Sequence, residues 1–435
     1  MRAVSAALLA LGLLGVWGSA SSVGPAESQT AQIRRGAPAV VATAAAAAPE
    51  TMTAATFPAG GDGFVAGVQG GHGFVDATVD GGATWHRLAS LRGVAFTDLL
   101  VSRDGQGWAA ARPIRGTNPQ PWSRTLYATV DGRRRWTEAG RVPGRITELT
   151  MMGRTPWISV AGACRDTSCS GAVLTVSGGH LRRLWTAPGP VLSLTVHGTT
   201  AWAAVWLSSP TKRSLLTVYR SGNGGRSWSP EGLIDRSELA ISPYAGLGLE
   251  SQLIFVSRRV GYASAFALSM CAMINCTVTT VERTTNGGRT WEPIRAVRIP
   301  CQYAPEMAAT GSNVAVVQQV SLAACAGPEA RLFVSRDRGN RFLHPFRWPD
   351  TSIVSLGILP HDRFWSLSPS GLLMSGHGGT TWHQVFPNVF PTGAADLVTP
   401  RVGYAAGDQT NPAALLKTVD GGATWSVVAK RAQRP

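Results

Sequence analysis

Short apolar runs separated by glycine-rich turns recur along most of the chain. In each run a large apolar residue stands among small ones, as in Gly107-Trp108-Ala109-Ala110 and Gly403-Tyr404-Ala405-Ala406. Short apolar runs bounded by turn residues are typical of β-strands. The pattern therefore predicts an all-β protein. The large residues of the runs are Phe64, Trp108, Trp157, Trp202, Tyr262, Val314, Trp365 and Tyr404.

One octapeptide repeats between these runs and predicts the architecture. Thr78 to Trp85 reads Thr-Val-Asp-Gly-Gly-Ala-Thr-Trp and returns unchanged at Thr418 to Trp425. From the third residue of the first copy, Asp80, to that of the last, Asp420, there are seven intervals between successive copies. Their mean length is close to 49 residues, which lies in the range of a four-stranded propeller blade. Variants begin at Thr129, Ser221, Thr284, Ser335 and Ser375, and a reduced copy keeps Ser177-Gly178-Gly179.

The octapeptide has the chemistry of a tight hairpin. Asp-Gly or Asn-Gly favours such a turn because glycine tolerates a positive φ. The Asp or Asn side chain can accept hydrogen bonds from backbone groups further along the turn. The aromatic residue then returns to a strand and can pack between sheets. We therefore assign structural roles to Asp80, Trp85, Asp131, Trp136, Asn223, Trp228, Asn286, Trp291, Asp337, Phe342, His377, Trp382, Asp420 and Trp425.

Four strands, a to d, account for each repeat. The large apolar residue lies in strand b, and strand d begins at the octapeptide's aromatic residue. Strand a precedes b (Thr97 to Ser102 and Val191 to Val196), and c leads into the octapeptide (Leu126 to Val130 and Leu415 to Val419). Eight such antiparallel blades cover residues 51–430, which makes this region a single β-propeller. Seven blades are the alternative, if Ser177-Gly178-Gly179 belongs to an irregular loop.

This repeat resembles a known sequence family. The octapeptide is similar to the Asp-box, or BNR, repeat of sialidases, sortilin-type receptors, some glycoside hydrolases and the photosystem II stability/assembly factor family. The single-propeller format looks most like the last group, which also occurs among secreted bacterial proteins. The resemblance implies a propeller but no particular activity, because enzymes and non-enzymes share the repeat.

The chain lacks the sequence markers of an enzyme. A sialidase resemblance implies an arginine cluster, a Tyr nucleophile with a carboxylate partner, and a tetrapeptide ahead of the first octapeptide in which Phe or Tyr precedes Arg-Ile-Pro. The nearest match, Val297-Arg298-Ile299-Pro300, follows the fifth octapeptide and lacks the aromatic residue. Tyr303 and Glu306 are a candidate for the Tyr nucleophile and its carboxylate partner, but nothing in the sequence fixes their geometry. We assign no catalytic residue, no metal site and no cofactor. A divergent sialidase-like glycoside hydrolase remains the alternative to a binding protein.

The N-terminus predicts export. Arg2 precedes an apolar stretch from Ala6 to Trp17, and Gly18-Ser19-Ala20 offers a signal-peptidase site. We expect a signal peptide over residues 1–20, a flexible Ala/Ser/Pro-rich leader over 21–50, and a secreted or extracytoplasmic protein. An uncleaved signal anchor is the alternative. No later stretch approaches the roughly 20 apolar residues of a transmembrane helix.

The net charge of +15 favours an acidic protein or anionic glycan as partner. Of the 40 basic residues only Lys212, Lys417 and Lys430 are lysine, so 40 − 3 = 37 are arginine. Such a skew also fits a GC-rich coding bias. Because no nucleic-acid motif and no long basic run accompanies the charge, we exclude a nucleic-acid partner.

Six cysteines in an exported chain favour disulfides over a metal site. Cys164/Cys169 and Cys271/Cys276 have the same spacing and occupy the b–c connections of two blades. We expect each pair to close its own loop, which leaves Cys301 to pair with Cys325. A zinc site would use the same thiols, but neither pair has the Cys-x₂-Cys spacing.

The strand order predicts a functional face. In a four-stranded antiparallel blade the a–b and c–d turns share one face, and the b–c and d–a connections share the other. The octapeptides mark the first face, whereas the cysteines and the length variation fall on the second. Variable loops on a repeating scaffold are where binding usually resides. We expect the partner to dock there, near the axis or over blades two to six, with the candidates Arg112, Arg115, Trp122, Arg165, Tyr244 and Tyr303.

Overall fold

The structure is a computed structural model of the whole chain. It describes residues 50–59, 62–102, 104–114, 124–129, 135–142, 144–165, 168–208, 214–234, 250–266, 268–271, 274–294, 299–300, 306–319, 330–343, 345–348, 355–359, 361–368, 371–387, 390–397, 401–408, 414–420 and 423–430. The segment Met1–Ala45, which contains the expected signal peptide, lies outside these residues, and the unit Ala46–Pro435 contains every strand.

The strands form eight antiparallel sheets in chain order, so the prediction of eight blades is confirmed. Blade 1 consists of β1 (Glu50–Ala59), β2 (Asp62–Gln69), β3 (His72–Thr78) and β4 (His86–Arg92). Blade 2 consists of β5 (Val94–Val101), β6 (Gly107–Pro113), β7 (Thr125–Thr129) and β8 (Thr137–Arg141). Blade 3 consists of β9 (Gly144–Met152), β10 (Thr155–Arg165), β11 (Ser168–Ser177) and β12 (His180–Ala187). Blade 4 consists of β13 (Val191–His197), β14 (Thr200–Ser208), β15 (Ser214–Ser221) and β16 (Ser229–Ile234).

The second half of the chain repeats the pattern with one enlarged blade. Blade 5 consists of β17 (Glu250–Phe255), β18 (Gly261–Phe266), β19 (Leu268–Cys271), β20 (Ile274–Thr284), β21 (Glu292–Pro293) and β22 (Ile299–Pro300). Blade 6 consists of β23 (Glu306–Thr310), β24 (Asn313–Gln319), β25 (Ala330–Ser335) and β26 (Phe346–Trp348). Blade 7 consists of β27 (Ser355–Leu359), β28 (Arg363–Ser368), β29 (Gly371–Ser375) and β30 (His383–Pro387). Blade 8 consists of β31 (Phe390–Leu397), β32 (Gly403–Asp408), β33 (Ala414–Thr418) and β34 (Ser426–Lys430).

The first strands of the blades form a closed inner ring. Each of them contacts the first strand of the next blade, from β1 through β5, β9, β13, β17, β23 and β27 to β31. β31 also contacts β1, so the ring closes. A closed ring of four-stranded sheets is the architecture of a β-propeller.

The hydrophobic core is divided into eight clusters, one at each junction of neighbouring blades. In each cluster, small residues of one blade pack beside large residues of the neighbouring blade. Ala109 and Ala111 of blade 2, for example, share a cluster with Phe64 of blade 1. Seven clusters include the octapeptide aromatic of the later blade, which packs against the blade before it: Trp85, Trp136, Trp228, Trp291, Phe342, Trp382 and Trp425. The octapeptide therefore joins neighbouring blades.

Blade 3 closes with the reduced turn. Gly178 and Gly179 alone connect β11 to β12, both with positive φ, 60° and 78°. Leu181 takes the place of the missing aromatic in the cluster between blades 2 and 3. Several strand bounds differ from the expected ones. β5 begins at Val94, three residues before the expected start, and strand c ends one residue early in blades 2 and 8, at Thr129 and Thr418. Strand d begins one residue after the octapeptide aromatic in blades 1, 2, 4, 5, 7 and 8. No helix in the described part of the chain is long and apolar enough to cross a membrane.

Candidate functional site

The octapeptide turn of blade 1 is held by hydrogen bonds from its own residues. The hydroxyl of Thr78 donates to Oδ1 of Asp80 (2.7 Å) and accepts from the backbone N–H of Gly82 (2.9 Å). The backbone N–H of Thr84 donates to Oδ1 of Asp80 (2.9 Å), and its hydroxyl donates to Oδ2 (2.6 Å). The indole N–H of Trp85 donates to the carbonyl of Gly82 (3.0 Å).

The same bonds recur where the residue types change. In blade 4 the N–H of Ser227 donates to Oδ1 of Asn223 (3.1 Å), and in blade 5 the N–H of Thr290 donates to Oδ1 of Asn286 (3.0 Å). The hydroxyl and the N–H of Thr84, followed by the hydroxyl of Thr78, hold the pKa of Asp80 well below its usual range. The polar groups of these turns are engaged within the turns, so we assign them no chemistry.

The two faces of the ring differ in the length of their connections. We call the face that carries the octapeptides the turn face and the opposite one, with the b–c and d–a connections, the loop face. The two longest connections between consecutive strands, 114–124 and 235–249, join strand ends on the loop face. The loop face therefore has the length variation that the sequence predicts.

Two of the six predicted site residues lie in described strands. Arg112 is half-buried in β6, where its backbone is opposite Ala95 of β5, so it lies in a strand and not in a loop. Arg165 is the last residue of β10. Both positions are at the loop-face ends of their strands. The other candidates, Arg115, Trp122, Tyr244 and Tyr303, lie outside the described residues.

The backbone places two of the predicted cysteine pairs at hairpin ends. Cys164 is directly opposite Cys169 across the end of the β10–β11 hairpin. In the β19–β20 hairpin, Cys271 is opposite Ile274, and Cys276 is opposite Ser269. Both hairpins lie at b–c connections, as expected. Cys301 and Cys325 lie outside the described residues, and the three disulfides stay predictions.

The inner ring contains a set of polar side chains in five consecutive blades. We call Asp98, Glu148, Ser193, Gln252 and Glu306 the axial arc. They come from the first strands of blades 2 to 6, one residue from each strand. The corresponding residue of blade 1 is Ala54. The arc therefore does not extend into blade 1.

Hydrogen bonds connect the arc from blade to blade. Oε2 of Glu148 accepts from the N–H of Leu194 (2.8 Å) and from the hydroxyl of Ser193 (3.2 Å). The same hydroxyl oxygen accepts from the N–H of Leu253 (3.1 Å). These bonds connect first strands that share no backbone ladder.

The connection continues into blade 6. Oε1 of Gln252 accepts from the N–H of Met307 (2.7 Å), and its amide group donates to Oε2 of Glu306 (3.1 Å). In blade 2, Oδ1 of Asp98 accepts from the next residue, Leu99 (2.8 Å). The arc thus joins the first strands of neighbouring blades by hydrogen bonds, and it places polar side chains on the inner strands.

β-Bulges precede the arc residues in three blades. The register of β5 skips Thr97 just before Asp98, that of β9 skips Thr147 just before Glu148, and that of β13 skips Leu192 just before Ser193. A bulge re-aims the side chains that follow it and is often found beside functional sites. The bulged Thr147 donates its hydroxyl to the carbonyl of Val191 in blade 4 (2.9 Å).

Burial raises the pKa of two of the three acids of the arc. Desolvation by the surrounding strands raises the pKa of Glu148 to about 7, against the opposing effect of its hydrogen bonds from Leu194 and Ser193. Desolvation also raises the pKa of Asp98 to about 6, and the charge of Asp98 contributes to the shift at Glu148. A carboxyl group with a pKa near 7 can donate or accept a proton at physiological pH.

Sequence reasoning missed the axial arc. A signal was present, since a polar residue stands directly before an apolar one in Asp98-Leu99, Ser193-Leu194 and Gln252-Leu253. Alternation of this kind is common in every strand, so it does not distinguish an inner strand from an outer one. Among the described residues, no group of three or more His, Cys, Asp or Glu side chains could hold a metal ion.

No family model matches this chain, and no curated protein matches it. The chain is similar to several solved propellers. A YCF48 protein bound to a D1 peptide is 17% identical, with 77% of this chain and 81% of that chain covered and a TM-score of 0.36. The β-propeller domain of the trilobed protease from Pyrococcus furiosus is 9% identical, with 79% and 100% covered and a TM-score of 0.47. An α-L-arabinanase from Penicillium chrysogenum, complexed with arabinobiose, is 12% identical, with 74% and 92% covered and a TM-score of 0.38. At such identities the similarity concerns the fold alone.

Proposed function

We propose that this chain is a secreted, non-catalytic propeller of the Asp-box type that binds a protein or glycan partner through its loop face. The observation that carries the proposal is the difference between the two faces. The turn face repeats one self-bonded turn, whereas the longest connections, 114–124 and 235–249, join strand ends on the loop face. Binding usually resides in variable loops on a rigid scaffold.

The axial arc supports the same face. Its members belong to blades 2 to 6, the blades that also carry the two longest connections and the cysteine-bearing hairpins. Glu306 is the first residue of β23, at the loop-face end of that strand. The arc thus offers a polar floor, with hydrogen-bond donors and acceptors, beneath the loops of these blades.

A photo-crosslinking experiment tests the proposal for a protein partner. A photoreactive phenylalanine analogue replaces Trp122 on the loop face, and in a second variant it replaces Val79 on the turn face. Val79 is an exposed apolar residue (56% exposed), so its replacement is compatible with folding. We expect partner adducts from position 122 and none from position 79 when the full chain is labelled in its producing cells.

A glycan array tests the proposal for a carbohydrate partner. Trp122→Ala, Tyr244→Ala and Tyr303→Ala are compared with Val79→Ala and Val419→Ala. We expect the loop-face variants to lose array signal and the turn-face variants to keep it. Loss confined to the turn-face variants, with all proteins folded by circular dichroism, would show that the wrong face has been chosen.

One observation favours a second function, the divergent glycoside hydrolase. Glycoside hydrolysis uses two carboxyl groups, one of which is protonated at working pH. Asp98 and Glu148 lie on neighbouring inner strands, and burial raises their pKa values to about 6 and about 7. The charge of Asp98 adds to the rise at Glu148. Glu148 would act as the acid and Asp98 as the base or nucleophile.

A panel of aryl glycosides, including an aryl sialoside, tests this second function. Hydrolysis by the wild-type protein that falls at least a hundredfold in both Glu148→Gln and Asp98→Asn would support it, since general acid–base catalysis contributes about 10²–10⁴-fold. Equal turnover by the wild type and Glu148→Gln would eliminate these residues as catalytic groups.

A further inference from the structure

The turn face of blades 4 to 6 is strongly basic. Six turns form it: the a–b turns at 198–199, 256–260 and 311–312 and the octapeptide turns at 222–228, 285–291 and 336–342. All of their residues are described, and Asp337 is their one carboxylate. Seven exposed arginines belong to these turns, and we call them the arginine patch: Arg226, Arg258, Arg259, Arg289, Arg336, Arg338 and Arg341.

Contacts between the turns make the patch continuous. The carbonyl of Arg259 accepts from the N–H of Gly287 (2.8 Å), which joins the two turns of blade 5. The side chain of Arg283 donates to the carbonyl of Arg338 (2.8 Å) and thereby reaches from blade 5 to blade 6. A guanidinium nitrogen of Arg258 lies close to Gly198 in the a–b turn of blade 4.

Most of this charge is left without an internal counter-ion. Arg289 forms an ion pair with Glu231 (3.1 Å), and Arg336 donates to the carbonyl of His377 (3.0 Å). Within the described residues, the guanidinium groups of Arg226, Arg258, Arg259 and Arg341 have no ion pair and no hydrogen bond. Concentrated positive charge attracts polyanions over several ångströms.

Other turns of the same face show that the fold does not require this charge. The corresponding turn of blade 1, 79–85, has one Asp and no arginine, and that of blade 7, 376–382, has neither. The octapeptide of blade 2 also carries three arginines, Arg133 to Arg135, of which 133 and 134 lie outside the described residues. Blades 4 to 6 are adjacent, and their fully described turns carry the seven arginines of the patch. The seven arginines and Asp337 give these turns a net charge of 7 − 1 = +6, against +15 for the whole chain.

The chemistry of the patch selects among polyanions. Binding of single-stranded nucleic acid relies on exposed aromatic rings for stacking. The aromatics of these turns, Trp228, Trp291 and Phe342, are partly buried in the blade junctions. Membrane insertion needs exposed apolar groups, and the large exposed apolar residues of the described chain, Val79, Leu233 and Val419, lie outside these turns. Guanidinium groups bind carboxylates and sulfates in a bidentate manner.

We infer that the arginine patch is a second binding surface, distinct from the loop face, for a linear acidic polysaccharide with repeated carboxylate or sulfate groups. Charged groups repeating along a flexible chain match arginines that repeat from blade to blade. The inference does not depend on the partner of the loop face.

Binding of heparin, used as a model acidic polysaccharide, tests the inference. We compare the wild-type chain with Arg226→Gln/Arg258→Gln/Arg341→Gln by isothermal titration at several salt concentrations. The expected result is at least a tenfold weaker affinity and a shallower salt dependence for the triple variant, since three ionic contacts are removed. The three residues have no partner among the described residues, so the variant is expected to fold normally.

The matched control removes the same charge elsewhere. Arg92→Gln/Arg182→Gln/Arg183→Gln alters three exposed arginines on the outer strands β4 and β12. We expect its heparin affinity to stay within twofold of the wild type. An equal loss in both triple variants would overturn the inference, because net charge alone would then explain binding.

Two competing ligands complete the test. Double-stranded DNA and polyglutamate are titrated at the same concentration of charged groups as heparin. Weaker binding of both supports a polysaccharide site, whereas tighter binding of either overturns that assignment. Trp122→Ala, which alters the loop face, is expected to leave heparin affinity unchanged, so failure of this inference and failure of the proposed function give different results.

Discussion

Tyr404 of blade 8 donates its phenolic hydroxyl to the backbone carbonyl of Gly81 in blade 1, at 3.0 Å. The two residues belong to the last and the first blade, and their hydrogen bond joins blade 8 to the octapeptide turn of blade 1. Lys417 donates to the same carbonyl (2.9 Å), and the ring of Tyr404 stacks on Phe57 with centroids 3.8 Å apart. The closure of the ring thus uses the large residue of strand b and the turn of the next blade.

We expect Tyr404→Phe to destabilise the protein by about 1 kcal/mol, the net value of a typical hydrogen bond. The stacking on Phe57 is retained, and Lys417 still satisfies the carbonyl of Gly81. The matched control is Tyr262→Phe in blade 5. The hydroxyl of Tyr262 is buried and has no hydrogen-bond partner among the described residues.

Removal of an unpartnered buried hydroxyl relieves its desolvation, so Tyr262→Phe should be neutral or stabilising. Urea unfolding of the three proteins measures both effects. Equal loss of stability in the two variants would show that ring shape, and not the bond to Gly81, is what position 404 contributes.

The same relationship explains how much of the fold the sequence predicts. The octapeptide and the strand-b residues are visible as separate repeats, and they give the blade number and the strand order. Their contact is not visible, because it joins one blade to the next. In the structure the indole N–H of Trp202 in blade 4 donates to the carbonyl of Gly287 in blade 5 (2.9 Å), and Tyr404 contacts Gly81 in the same way.

The candidate site was harder to predict than the fold. Arg112 was expected in a loop and lies in β6, because the strand extends to Pro113. The axial arc was missed, since its members are polar residues in ordinary strand alternation. What makes Glu148 unusual is its desolvation by burial, and no local sequence pattern reports which residues surround a side chain.

Thr78 tests the bonding of the octapeptide. Its side chain is buried, and its hydroxyl serves both the carboxylate of Asp80 and the N–H of Gly82. Thr78→Val keeps the shape and removes both bonds, so we expect a loss of about 2 kcal/mol in the free energy of unfolding. Thermal and urea denaturation give the value.

The natural repeats supply the control for this substitution. Serine stands at the same position in blades 4, 6 and 7, where its hydroxyl accepts from the N–H of Gly225, Gly339 and Gly379 at 2.8–2.9 Å. Thr78→Ser is therefore expected to cost less than about 1 kcal/mol. A serine variant as unstable as the valine variant would argue that the methyl group, not the hydroxyl, matters at this position.

The cysteine pairing is open to direct measurement. We expect Cys164–Cys169, Cys271–Cys276 and Cys301–Cys325 disulfides in the exported protein. The backbone opposition of Cys164 and Cys169 at a hairpin end suits a cross-strand bond. Peptide mapping of the non-reduced protein by mass spectrometry identifies the linkages. A 169–271 or 276–301 linkage, or free thiols in all six positions, would contradict the expected pairing.

Glu148 should give the protein a distinctive dependence of stability on pH. The carboxyl releases its proton near the ordinary pKa of 4.5 in the unfolded chain and near 7 in the folded one. Between these values the folded state binds more protons, so stability falls as pH rises from about 4 to about 7 and falls no further from this group above that. We expect a loss of about 2 kcal/mol across the window, given about 1.4 kcal/mol for each pH unit of difference and partial access of water.

Two substitutions at the same position separate the charge from the hydrogen bonds. Glu148→Gln keeps an acceptor for the N–H of Leu194 but cannot ionise, so its stability should fall less over this window than that of the wild type and should exceed it at pH 8. The fall that remains between about pH 4 and pH 6 comes from Asp98, whose pKa is also raised. Glu148→Ala removes the acceptor as well, and should be less stable than Glu148→Gln at every pH. Urea midpoints measured from pH 4 to pH 8 decide between these expectations. A wild-type profile with the same slope as that of Glu148→Gln over this window would show that burial does not raise the pKa of Glu148 in the folded protein.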